Sequence, residues 1–364
     1  MLSKKKALVT GGTGFIGGRL VEKLILYHGT IPQVLVRNFT SAVRLARFGL
    51  AMVKGDIDDA SAVDRAVEGC DVVFHCAHDF MNAQRNLDGA RILAEACLQH
   101  KIKRLVYVSS VSVYEPLSDG NLDESAPAEP CGWEYPDNKL AVEHIFLEYM
   151  ERHGLPLVIL QPTIVYGPFS SWTITPVRQL RSGRVVLPKD KEGLCNAVYV
   201  DDVVDALILA AQADKAVGER FLISGPAPVT WYEFYAAYER VLGVKSVILM
   251  MTEEIEQTNR QDSIKTNLSV LRVFRQDPRR IVQWQPARSI YKLVRGLVSE
   301  RIKTKALQAL PSLLILPDAQ RLSLLRARTF TKIDKARHLL RYEPQFSFDR
   351  GMDLTAKFVI WAKL

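Results

Sequence analysis

The sequence predicts an α/β protein: a doubly wound parallel sheet with a smaller C-terminal lobe. Three observations predict it. Short, continuously apolar runs alternate with stretches of helical periodicity over the first 160 residues, as in parallel sheets covered on both faces. The first of these runs enters three glycines spaced three apart, and a helical pattern follows directly. The polar residues with chemical potential fall at the carboxyl ends of the runs, where such sheets bind ligands.

Taken in order, residues 7–10 form the first strand and lead into Gly11, Gly14 and Gly17, with the helix pattern visible over 19–24. Gly11 permits a tight turn off the strand, Gly14 lets the backbone approach a pyrophosphate, and Gly17 lets the helix pack close to the sheet. Phosphates then meet unpaired N–H groups at the positive end of a helix. This strand–glycine–helix order is the Rossmann-type dinucleotide signature rather than an ordinary glycine turn. Strands follow at 32–37 and 52–56, a helix at 60–67, a strand at 71–75, a helix over 87–100 and a strand at 104–108 ending in Ser109 and Ser110. A helix carrying Tyr135 and Lys139 precedes the strand at 156–160. Mixed Gly- and Pro-containing sequence begins at Pro162, with a strand at 197–200 and a helix at 203–211, and residues 331–364 return to helical patterning. The expected division is a dinucleotide domain at 1–166 and a mixed substrate lobe at 167–364. Some segments of that lobe return to the first domain, and a basic insertion lies at 257–330.

The 364 residues are 48% hydrophobic and 24% charged, the balance of a globular enzyme able to bury a large core. No apolar run reaches the roughly 18 residues of a membrane-spanning helix, and Lys4, Lys5 and Lys6 lead straight into the first strand rather than into a leader. The five cysteines lack metal-ligand spacing, so no metal is expected and reduced thiols in a cytoplasmic protein are. The net charge of +8 is uneven: residues 257–330 hold 15 Lys or Arg against 4 Asp or Glu, a local +11, leaving about −3 elsewhere. Without recognition elements this does not describe a nucleic-acid-binding protein. Within it, 289–298 has an apolar face (Ile290, Leu293, Val294, Leu297, Val298), basic residues follow, and an apolar run occupies 313–316. Such a segment fits a lid, or a peripheral contact with an anionic membrane.

Together the motifs resemble the extended short-chain dehydrogenase/reductase superfamily, including NAD(P)-dependent epimerases and dehydratases and 3β-hydroxysteroid dehydrogenases. They run from Gly11–Gly17 through Gly55-Asp56-Ile57, His75-Cys76-Ala77, Asn86-Leu87-Asp88-Gly89, Val108-Ser109-Ser110, Tyr135 with Lys139, and Gln161–Gly167. Val198–Val203, Lys335-Ala336-Arg337 and Tyr342-Glu343-Pro344 complete the set. The resemblance implies a catalytic Ser110, Tyr135 and Lys139. Four residues apart, Tyr135 and Lys139 share one helix face. A neighbouring ammonium and a positive nicotinamide ring are expected to lower the phenol from ~10 so that it exchanges protons with an alcohol or alkoxide. Ser110 would hold the reacting oxygen, Ser109 would support the cofactor, and Lys139 would also reach the nicotinamide ribose.

The resemblance implies further cofactor contacts at Phe15, Ile16, Asp56, Ile57 and Ala77, and at Pro162, Ile164 and Val165 in a loop closing over nicotinamide. Arg37 stands where NAD-preferring relatives carry an acid, so NADP is expected, with NAD open if Arg37 only stacks on adenine. Arg44 is a candidate second contact. His78 and Asp79, at a strand end near the cofactor, are candidate substrate contacts. Three departures shape the reading. Val111-Ser112 replaces the Asp-Glu pair of the 4,6-dehydratases. Ten residues separate His75 from Asn86, fewer than sugar epimerases use. Gln161 stands where an arginine commonly precedes the proline. The expectation is therefore an NADP(H)-dependent alcohol dehydrogenase or ketoreductase, with a nucleotide-sugar epimerase using the same residues as the alternative. An inert cofactor sensor would lack the Tyr–Lys pair. The substrate would be a small molecule (sugar nucleotide, steroid-like or lipid-linked alcohol or ketone), and a homodimer is compatible.

Overall fold

The computed structural model describes residues 5–190, 192–265 and 314–364. The first half alternates as the sequence predicts: β1 (Lys6–Thr10), α1 (Phe15–His28), β2 (Ile31–Val36), β3 (Ala51–Lys54), α2 (Ala60–Val67), β4 (Val72–His75), α3 (Ala83–Gln99) and β5 (Arg104–Val108). A short β6 (Gly120–Leu122) precedes α4 (Glu134–His153) and β7 (Leu157–Pro162). Then come β8 (Ile164–Tyr166), α5 (Ser171–Ser182), β9 (Arg184–Pro188), β10 (Leu194–Cys195), β11 (Ala197–Tyr199), α6 (Val200–Gln212) and β12 (Arg220–Ile223). The last described elements are β13 (Val229–Thr230), α7 (Trp231–Leu242), β14 (Val247–Met250), α8 (Thr252–Lys265), β15 (Leu314–Ile315), α9 (Ala319–Arg326), β16 (Thr329–Thr331) and α10 (Phe348–Trp361).

Seven parallel strands form the central sheet in the order β12-β7-β5-β4-β1-β2-β3. The reversal between β1 and β4 is the switch point at which doubly wound sheets bind ligands. Neighbouring residues along each strand divide between two cores: Ala7, Val9, Phe74, Val106 and Val158 pack in one, Leu8, Val73, Leu105 and Ile159 in the other. Burial on both faces is why these strands read as unbroken apolar runs. α6 and β12 return to this layer, and Arg19 of α1 holds Asp201 of α6 through two contacts of 2.7 Å.

The remaining strands build the smaller lobe: a parallel sheet β14-β9-β15 and three two-stranded pairs, β10-β13, β11-β8 and β16-β6. α3 begins four residues before the periodicity shows it, because Asn82 caps the helix by accepting from the Arg85 amide. The stretch after residue 331 is less helical than its pattern suggests: one π-helical turn, Ala336–Leu340, stands before α10. Most of the basic insertion, including the amphipathic stretch 289–298, lies outside the described residues.

Candidate active site

The turn after β1 is built around close approach. Gly11 adopts φ +68°, and a Cβ there would lie 2.7 Å from the Ala77 amide nitrogen at the end of β4. A Cβ on Gly17 would meet the Gly11 carbonyl oxygen, so Gly17 seats α1 against the turn rather than against the sheet. Gly12, which the spacing argument passed over, makes the sheet contact: its Cβ would sit 2.6 Å from Val34 Cγ1. α1 starts at Gly14 without a side-chain cap and with no acid in its first turn. Its first amides and dipole are left for an anion. A Cβ on Gly14 would touch only the Gly11 oxygen, so the space beyond stays open to a pyrophosphate. Phe15 and Ile16, in the first turn, are partly buried and pack against the core. These features fit a dinucleotide.

Ser110 ends the β5 segment and caps the single turn Val111–Tyr114, its Oγ accepting from Ser112 N at 3.1 Å and Ser112 Oγ at 2.9 Å. Tyr135, in the first turn of α4, lies close enough to Ser110 for that hydroxyl to oppose the upward shift of its phenol. Lys139 lies one turn further on, 4% exposed, and its Nζ donates to the Val108 carbonyl at 2.8 Å. The chain thus gathers Ser110, Tyr135 and Lys139 at the carboxyl end of β5.

Their titration differs from expectation in one respect. Burial raises the Tyr135 phenol above its ordinary value, opposed by the Ser110 hydrogen bond and reinforced by the Glu115 charge. The ammonium does not invert this: the charge and hydrogen-bond influences on the phenol come from Ser110 and Glu115, and burial pushes Lys139 itself down to about 8. The expected lowering of Tyr135 is not a property of the chain alone.

Asp79 is tied down. Its carboxylate takes Arg85 NH1 at 2.6 Å and the Met81 amide at 2.9 Å, with Arg37 NH1 3.6 Å away. Its carboxylate is therefore engaged by an arginine side chain and a backbone amide. Arg37 follows β2 directly and is 66% exposed at its side chain. Arg44 is occupied elsewhere, paired with Glu22 at 3.3 Å and lying over the Phe169 ring. Asp56 is half-exposed and accepts from the Ile57 amide at 2.8 Å, whereas Ile57 is buried beneath Gly89 of α3. His78 packs edge-on against Tyr135, ring centroids 5.1 Å apart.

The family profile described as NAD dependent epimerase/dehydratase matches residues 7–224. The chain belongs to that family. Within it, a 2-alkyl-3-oxoalkanoate reductase of Shewanella oneidensis is 29% identical over 62% of this chain and 62% of its own length. A 3beta-hydroxysteroid-dehydrogenase/decarboxylase of Arabidopsis thaliana is 27% identical over 66% of this chain, again with 62% of the relative covered. The fold is shared with an epimerase of Methanothermobacter thermautotrophicus (TM-score 0.72, 20% identity, 100% of this chain and 94% of that one). It is shared too with the UDP-glucose 4-epimerase of Thermotoga maritima solved with UDP-glucose (TM-score 0.70, 20% identity, 99% and 100% covered). The chain spans less than two thirds of the length of these two curated relatives.

The structure also brings in residues that sequence reasoning left out. Glu143, fully buried one turn beyond Lys139, accepts from Gln161 Nε2 at 2.9 Å and faces Arg220 Nε at 3.3 Å. Its spacing from Lys139 was a legible signal; Arg220, from β12, had none. Asn86 clamps the loop after β4 through Asp79 N (2.8 Å) and Asp79 O (2.9 Å), and reaches Asn138 of α4 at 2.8 Å. Phe80 stacks on the Tyr135 ring. Pro162, Ile164 and Val165 form no loop: Pro162 ends β7, and Ile164 and Val165 lie in β8, paired with β11 and more than nine-tenths buried. Their β-branched, apolar side chains suit a strand better than a mobile cover. Ser109, at 4% exposure, is buried as well.

Proposed function

We propose that this chain is an NADP(H)-dependent alcohol dehydrogenase or ketoreductase working through Ser110, Tyr135 and Lys139. The observation that carries the reading is the convergence of these three side chains at one strand end, beside a glycine turn whose uncapped helix fits a pyrophosphate. The nicotinamide, when bound, supplies or accepts a hydride at the substrate carbon. Tyr135 gives a proton to the substrate oxygen in reduction and takes it back in oxidation. The raised phenol favours the protonated form that reduction needs. Ser110 hydrogen-bonds the same oxygen, and Lys139 reaches the ribose hydroxyls once it exchanges the Val108 carbonyl for them. NADP rather than NAD is supported by the exposed guanidinium of Arg37 at the end of β2.

A nucleotide-sugar epimerase would use the same three residues, and the family includes such enzymes. Incubation with NADPH and a ketone, followed at the nicotinamide absorbance, separates the two. Net oxidation of NADPH supports the reductase, whereas interconversion of UDP-sugars without net cofactor change replaces it. The local charge of 257–330 supports a peripheral contact with anionic lipid. Co-sedimentation with phosphatidylserine vesicles at low and high salt tests this, and protein remaining in the supernatant at low salt refutes it. A cytoplasmic location, with or without that membrane contact, belongs to the same reading, and a homodimer is compatible with it.

A further inference from the structure

We propose that Phe80 is the specificity-determining residue of this site, and that it selects a ketone or secondary alcohol flanked by an apolar ring or alkyl chain. The proposal rests on the oxidoreductase reading above and names its substrate class.

Phe80 lies in the loop between β4 and α3, parallel to the Tyr135 ring at a centroid distance of 5.5 Å and an interplanar angle of 16°. His78 completes a three-ring cluster, meeting Phe80 edge-on at 4.7 Å and Tyr135 at 5.1 Å. Phe80 is nonetheless 72% exposed, and Met81 beside it 66%. Exposed apolar side chains in water are ordinary when scattered, but Phe80 held against Tyr135, with Met81 next to it in the chain, marks a binding wall.

The wall is fixed in place. Asn86 grips both backbone groups of Asp79, Asp79 caps the Met81 amide, and Asn86 ties the loop to Asn138 on the helix that carries Tyr135. An aromatic ring held by such a frame contributes contact at little entropic cost.

The same frame consumes the loop's polar side chains. Asp79 is bound to Arg85, Asn82 caps α3, and Gln84 donates to Asp88. His78 is neutral throughout the working range, because burial and the Lys139 charge push it down to about 3. Apart from the neutral His78 imidazole, a polyhydroxylated ring would find the Asp79 carboxylate and the Gln84 amide of this wall already engaged, whereas an apolar substituent beside the carbonyl would lie against Phe80 and Met81.

The test compares tetralone and methyl nonyl ketone with hydroxyacetone, following NADPH oxidation by the full-length protein and by Phe80→Ala, Phe80→Asn and Phe80→Leu. The wild type is expected to prefer the apolar ketones. Phe80→Ala and Phe80→Asn should lower that preference, as a ratio of kcat/KM, about tenfold, the equivalent of ~1.4 kcal/mol. Phe80→Leu should restore most of it, and NADPH affinity by fluorescence should show all variants folded. Turnover of ketones with an unchanged preference in Phe80→Ala overturns the proposal while leaving the oxidoreductase reading intact. Turnover of UDP-glucose and of no ketone overturns both.

Discussion

The Lys139 ammonium offers a sharp test, because its environment sets where its charge disappears. Burial lowers its pKa from 10.5 to about 8, with the Cys76 and Glu143 charges opposing the shift. Other groups around it titrate well away from that value: His75 and His78 are pushed down to about 3, and Cys76 up to about 12, all by burial. Burial raises both the Tyr135 phenol and the Glu143 carboxyl. NADPH affinity of the free protein should therefore be flat up to pH about 8 and weaken above it. A hydrogen bond from a charged donor contributes roughly 1.5–3 kcal/mol, so complete discharge should weaken binding about 10- to 100-fold. Fluorescence titration between neutral and alkaline pH measures this, with circular dichroism at each pH. Lys139 itself cannot confuse loss of affinity with unfolding. Its folded pKa is the lower one, so the unfolded chain binds more protons between about 8 and 10.5 and this group's contribution to stability rises there. Lys139→Arg, which keeps its charge, should bind more weakly near neutrality and lose the break. An affinity independent of pH through 9, or the same break in Lys139→Arg, refutes the reasoning.

Four further outcomes are expected. Tyr135→Phe should lower turnover by ~100-fold or more, the usual contribution of general acid–base catalysis, with NADPH affinity nearly unchanged by fluorescence; a tenth of the wild-type rate remaining would exclude Tyr135 as the acid. Arg37→Asp should move the cofactor preference from NADPH toward NADH by tenfold or more, equal to ~1.4 kcal/mol or above, and unchanged relative affinities would remove Arg37 from the 2′-phosphate. Gly11→Ala forces a side chain into φ +68° and against the Ala77 amide; roughly 1–3 kcal/mol of stability and most cofactor affinity should be lost, read by thermal unfolding and fluorescence. Asp202, raised to about 6 by burial despite accepting from two backbone amides, binds its proton more readily folded than unfolded. Stability should fall by up to about 3 kcal/mol from this group as pH rises from about 4 to 6, and Asp202→Asn should flatten that slope in denaturant titrations.

What the sequence discloses here depends on whether the relevant contact is local. The order of β1, turn and α1 was legible because strand period, glycine spacing and helix period meet within a dozen residues. Tyr135, Lys139 and Glu143 share a face for the same reason, successive positions at i+4 on one helix. Phe80 was not legible. Its neighbours in sequence are ordinary loop residues, and only the Asn86 clamp, closed across α3 and α4, swings its ring onto Tyr135. The raised phenol was equally hidden, since a spacing of four says that an ammonium is near but not how deeply both groups are buried. Pro162, Ile164 and Val165 were expected in a loop by family likeness, yet Pro162 pairs with Ile223 of β12 and Ile164 and Val165 pair with β11, partners more than thirty residues downstream.

Gln161 shows how a departure from the family pattern can be compensated. Neither Gln161 nor Glu143 has any exposed surface, and a carboxylate so placed is costly unless a cation and hydrogen bonds surround it. Where relatives commonly carry an arginine, Gln161 is neutral, donating to Glu143 at 2.9 Å while accepting from the Tyr114 hydroxyl at 2.9 Å. The missing charge comes from the adjacent strand: Leu222 of β12 lies opposite Gln161, and Arg220 of that strand reaches Glu143 at 3.3 Å. β12 is an edge of the central sheet, so the Arg220 side chain keeps 28% of its surface in contact with solvent. A guanidinium there loses less hydration than one at position 161 would. Burial still raises the Glu143 carboxyl, opposed by Ser109, Gln161, Arg220 and Lys139. The cation thus stands one strand outward from Gln161, in contact with solvent, while the neutral glutamine keeps a hydrogen bond to the carboxylate one turn beyond Lys139.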